Sequence, residues 1–69
     1  MKTTTDQFHH MKGHVTDGCV IVAPSGREFT LRMASRGWVV LNPDGSECSG
    51  NLPGWLDVEI FVVNGLQNS

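Results

Sequence analysis

The chain has 69 residues, a formal charge of −2, and hydrophobic and charged fractions of 39% and 17%. That length supports one hydrophobic core, so residues 1–69 read as a single small domain, and the composition is that of a globular rather than a disordered chain. The longest unbroken apolar run, Cys19 to Ala23, is far short of the ~18 residues that a membrane-spanning helix needs, so no membrane role is expected.

Eight glycines and three prolines punctuate the chain closely enough to exclude long helices, and ten valines and isoleucines against five leucines and two alanines favour strands. Residues 1–14 are polar, with isolated Phe8 and Met11, and read as a loose, flexible N-terminal arm leading to a short strand near His14 to Thr16. Cys19 to Ala23 is a continuous apolar run between Asp17-Gly18 and Pro24-Ser25-Gly26, as in a short buried strand. Glu28 to Ala34 supports two readings. Phe29, Leu31 and Met33 alternate with Thr30 and Arg32 as in a half-buried strand, whereas the Ser25/Glu28 capping-box spacing, the Glu28/Arg32 pair and Gly37 suit a helix. Turn-like segments on either side, at hairpin spacing, favour the strand.

Trp38 to Leu41 is a further short strand, followed by Asn42-Pro43-Asp44-Gly45, the strongest turn signal in the chain. Ser46 to Gly54 reads as an irregular connection. Leu56 to Val63 is the longest strand candidate, with Val58, Ile60 and Val62 inward and Phe61 and Val63 outward, and residues 66–69 form a tail. No internal repeat stands out. The expected fold is therefore all-β: a small antiparallel meander or partial barrel of four to five strands with a loose N-terminal arm. The alternative is α+β with one helix near 25–36.

Chemistry-bearing residues are sparse. His9, His10, His14 and Cys19 form the one metal-like grouping, but their spacing matches no zinc pattern, and neither a metal nor a cofactor is expected. Cys19 and Cys48 permit one intrachain bridge without requiring it. With no apolar secretory segment in Met1 to Lys12, free thiols and a cytoplasmic location are expected. No nucleophile, base and orienting group converge in the sequence, so no enzymatic activity is expected.

Charge is sorted along the chain. Lys2, Lys12, Arg27, Arg32 and Arg36 face Asp6, Asp17 and Glu28 in the first 36 residues, a net of +2, while residues 37–69 carry Asp44, Glu47, Asp57 and Glu59 and no cation, a net of −4. Mutual attraction of the two halves is the simple reading. Arg27, Arg32 and Arg36 with Trp38 suggest single-stranded nucleic-acid binding by a small β-barrel, but three arginines neutralise few phosphates, and this stays the alternative. The favoured reading is a non-enzymatic protein-interaction module, regulatory or inhibitory, binding a protein partner or a second copy as a homodimer. Phe61 and Val63 are its candidate contact residues together with Trp55, although each tryptophan also suits core packing.

Overall fold

In the computed structural model, which describes residues 2–68, four strands form one open mixed sheet: β1 (Lys2–Thr4), β2 (Cys19–Val22), β3 (Glu28–Ala34) and β4 (Gly37–Leu41), in the order β1-β2-β3-β4. β2, β3 and β4 make the expected antiparallel meander, and β1 adds to β2 in parallel. The ambiguous segment is a strand, not the helix considered near 25–36. Phe29 lies opposite Ile21, and Leu31 lies between Cys19 and Val40, so its alternating apolar residues find partners on neighbouring strands. The sheet is not closed, which corrects the partial-barrel expectation: its end strands have only three and five residues, too short to tilt round and meet.

Two hairpin turns share one construction. Gly26 N–H donates to Ala23 O at 2.9 Å and Ala23 N–H to Arg27 O at 2.9 Å; Gly45 N–H donates to Asn42 O at 2.9 Å and Asn42 N–H to Ser46 O at 2.7 Å. Proline opens each loop and a glycine at φ +93° closes it, a three-residue connection that needs the left-handed region at its last position. The similarity extends into the flanking strands. Gly18, Val20, Pro24, Gly26 and Glu28 recur nineteen positions later as Gly37, Val39, Pro43, Gly45 and Glu47. The chain thus does contain a short repeat, hidden in the sequence because the intervening residues differ.

Past its second turn the chain runs back along β4 and covers that strand's outer edge. Trp38 and Leu52 exchange N–H···O bonds of 2.9 Å, and Cys48 N–H donates to Val40 O at 2.7 Å. The approach is close at Gly37 (φ +136°), where a Cβ would lie 2.6 Å from Leu52 O and 2.8 Å from the Pro53 Cα.

Both ends of the chain depart from the expectation. The N-terminal segment is not a loose arm: Lys2–Thr4 is β1, and helix α1 (Thr5–His9) follows directly. Thr4 Oγ1 accepts from Gln7 N–H while the Gln7 side chain accepts from Thr4 N–H, both at 3.1 Å, so the helix start is capped reciprocally and one edge amide of β1 is occupied. Phe8 is fully buried and anchors α1 on the core. His14 to Thr16 lie in the connection to β2 and form no strand, and Met1 lies outside the described residues.

At the other end, Leu56 to Val63 is helical. Helix α2 (Trp55–Ile60) continues into a π-helical segment, Phe61–Gly65. Val58, Val62 and Leu66 are fully buried, a spacing of four. On an α-helix such steps drift by about 40° each, at roughly 100° per residue; the wider i→i+5 turn winds less per residue and returns Leu66 to the contact line. Leu66 therefore belongs to the core and not to a tail, Gln67 Nε2 donates to Val63 O at 2.7 Å, and Ser69 lies outside the described residues. Both helices cover the same face of the sheet: Phe8, Val58, Val62 and Leu66 pack on Cys19, Ile21, Phe29, Leu31 and Val40. Neither helix is long and apolar enough to cross a membrane.

Candidate interaction surface

The helical geometry of 55–65 redistributes the residues expected at a contact surface. Ile60, expected inward, points out and is 51% exposed; Leu56, one turn earlier, is 67% exposed. These two and Met33 (57%), beside Trp38 on the β3–β4 hairpin, are the large apolar side chains most exposed among the described residues. Phe61 is half-buried and packs against the core. Its ring lies close to Gly65, where a Cβ would come 3.3 Å from the ring. Val63 is also half-buried.

Leu52, Ile60, Phe61 and Gly65 line an apolar groove with Asp57 and Asn64. Leu52 is held there by its bonds to Trp38 on β4, and Phe61 by the start of the π-helical turn, so the groove runs between the β4 edge and the helix. Trp55, offered both as a contact residue and as a core residue, stacks its ring on Phe8 with centroids 5.0 Å apart and planes 23° from parallel, and packs against the core. Its Nε1 is buried without a hydrogen-bond partner.

The other expected groupings are dispersed. Arg27 sits in the β2–β3 turn and Arg36 in the β3–β4 turn, at opposite ends of a seven-residue strand, roughly 23 Å at about 3.3 Å per residue. Between them Arg32 Nε lies 3.6 Å from Asp17 Oδ1, and Trp38 is half-buried. The arginines therefore make no single stripe with Trp38. Of the histidines, His9 Nδ1 lies 2.8 Å from Glu59 Oε1, linking α1 to α2, and His9 and His10 meet edge to face. Cys19 is buried, its thiol donating to Thr3 Oγ1 at 3.7 Å. Among the described residues no three His, Cys, Asp or Glu side chains are grouped to hold a metal ion.

Cys48 lies beside β4, two strands beyond β2, so about three strand spacings, or ~14 Å, separate it from Cys19. Bridged cysteines need Cα atoms within about 7 Å, so strand order keeps these two thiols apart.

The electrostatics differ from the expected attraction between halves. Lys2 pairs with Glu28 at 2.8 Å and Arg32 with Asp17, both within the basic half; His9–Glu59 is the one described pair that joins the halves. Asp44 is held below the ordinary carboxylate value of 3.8, first by the Ser46 hydroxyl at 2.7 Å and then by the Ser46 N–H at 2.9 Å. Among the described residues, Asp6, Asp44, Glu47 and Asp57 have no cation within ion-pair distance.

A signal for this surface was present in the sequence. Val58, Val62 and Leu66 recur at four, and Gly54 precedes a first helical turn that carries Asp57. No family model matches the chain, and no curated protein or solved structure is significantly similar to it.

Proposed function

We propose that the chain is a non-enzymatic protein-interaction module whose contact surface is the outward side of α2 and the groove beside it. The observation that carries this reading is the exposure of Leu56 and Ile60 on successive turns of one helix. Fully burying such a side chain contributes about 1.5–3 kcal/mol, so covering the exposed portions of both recovers roughly 2–3 kcal/mol. That is a large quantity beside the ~3–5 kcal/mol that a core of this size supplies. In this reading the chain is a regulatory or inhibitory accessory protein of the cytoplasm that acts by binding. The nucleic-acid alternative has less support, because its arginines are spread along β3 and one is paired with Asp17.

The test compares wild type with Leu56→Ser and Ile60→Ser by affinity capture from native extract and by sedimentation. A specific partner, or a second copy, should be held by wild type and lost by both variants, with the monomer still folded and its melting lowered only modestly. Identical captured sets and identical masses for all three proteins would refute the reading.

A further inference from the structure

We infer that the groove between the β4 edge and α2 accepts an amphipathic segment of another protein that carries lysine or arginine; this rests on the reading above and specifies the partner. Apolar side chains of that segment would enter against Leu52, Ile60 and Phe61, and its cation would meet the Asp57 carboxylate on the groove's rim.

Charge selects this occupant. Asp17, Glu28 and Glu59 each have a basic partner, and Asp44 is satisfied by Ser46. Asp6, Glu47 and Asp57 have none among the described residues, but of these Asp57 alone lines the groove, and residues 37–69 contain no lysine or arginine at all. The first turn of α2 favours a carboxylate, which accounts for an acid at this position but leaves its outer oxygens for solvent or a partner. A second copy docked symmetrically would present the same patch, whose lining holds Asp57 and no lysine or arginine, and so would leave Asp57 without a cation. A basic amphipathic segment satisfies both features of the groove. Neither an acidic nor a purely apolar one does.

The experiment titrates a short amphipathic Leu/Lys peptide, and its Leu/Glu counterpart, into the isotopically labelled full chain while following amide shifts. The Leu/Lys peptide should move the signals of Leu52, Ile60, Asn64 and Gly65, and the Leu/Glu peptide should not. Asp57→Asn should weaken Leu/Lys binding about three- to fivefold at low salt, as a partly exposed ion pair does, and this difference should close near about 0.5 M salt. Ile60→Ser should weaken it tenfold or more, whereas Glu47→Gln, which removes the same charge at the opposite end of the β4 edge beside Leu41, should leave it unchanged. Equal binding of the two peptides, shifts confined to other surfaces, or an Asp57→Asn variant indistinguishable from wild type would overturn the inference. If Ile60→Ser still weakened binding in that case, the interaction reading would stand without its charge component; if it did not, both would fall. Self-association of wild type abolished by Ile60→Ser would name a second copy as the occupant and equally overturn the inference.

Discussion

Ile60 and Val62 lie two residues apart, and their truncation separates a helix from a strand at the element that carries the proposed surface. In a strand both would face the same way; in the helix Val62 is fully buried and Ile60 half exposed. Val62→Ala removes about two methylene equivalents from the core, roughly 1.6 kcal/mol of transfer free energy, and the unfilled space raises this to about 2–3 kcal/mol. Alanine's better helix propensity returns about 0.5 kcal/mol, leaving a net loss near 2. Ile60→Ala loses about half of its burial without a cavity, roughly 1 kcal/mol, and the same propensity gain reduces the net to about 0.5. Urea denaturation followed by tryptophan fluorescence reads both, because Trp55 is stacked on Phe8 and reports the docking of α2 on α1. With a slope near 1 kcal/mol/M for so small a chain, the midpoint should fall by about 2 M for Val62→Ala and about 0.5 M or less for Ile60→Ala. Equal losses, or a larger one for Ile60→Ala, would refute the helical placement and with it the exposed stripe.

Gly37→Ala should destabilise by about 2–5 kcal/mol, combining a strained φ with a clash against Leu52 and Pro53, while Gly45→Ala, which meets nothing within 4 Å, should show the strain alone; equal melts for the two would contradict the close approach at β4. Alkylation without reductant should label both cysteines of the monomer, Cys48 quickly and buried Cys19 slowly, and a bridged monomer detected by intact mass would contradict the strand order. Because Asp44 titrates lower in the folded chain than in the unfolded one, its contribution is complete above the ordinary carboxylate value of 3.8 and is lost as pH falls through the depressed one. The stability difference between wild type and Asp44→Ala should therefore shrink in acid, and a difference independent of pH would refute the Ser46 contacts as its source.

The middle of the chain was legible because local and long-range signals agree there. Pro24-Ser25-Gly26 and Pro43-Asp44-Gly45 dictate their turns, and the alternation of Phe29 and Leu31 is what a strand with neighbours on both sides requires. The ends were misread where these signals part. Val58 to Val63 is rich in β-branched residues, and a strand follows from propensity alone. Yet β4's outer edge is already occupied by Cys48 to Leu52, so the segment has no place beside it, and packing on the sheet's face selects the helix that buries Val58, Val62 and Leu66. At the N-terminus a single aromatic residue, Phe8, and the Thr4/Gln7 cap suffice to order what composition presents as an arm. On the segment expected to carry a contact surface, Phe61 lines the groove, Val63 and Trp55 are half-buried, and Leu56 and Ile60 are the exposed apolar side chains, because a helix distributes these residues differently from a strand.

Two apolar surfaces remain uncovered, and their geometry ranks them. The free face of the sheet carries Val20, Val22, Thr30, Val39 and Leu41, each already half-buried by neighbours in the pleat. The Lys2–Glu28 pair joins β1 to β3 across β2, so the lysine stem lies over the valines of that strand and shields them while its ammonium stays in water. A partner on that face would have to displace an ion pair and would gain little area per residue. On α2 the opposite holds. Leu56 and Ile60 stand more than half exposed, and no described ion pair crosses them. The inward line of the helix is filled by Val58, Val62 and Leu66, so rotating α2 to hide Leu56 and Ile60 would expose three core side chains to bury two. The fold cannot cover that stripe from within, and a partner that covers it gains the most apolar area for the fewest polar groups removed from water.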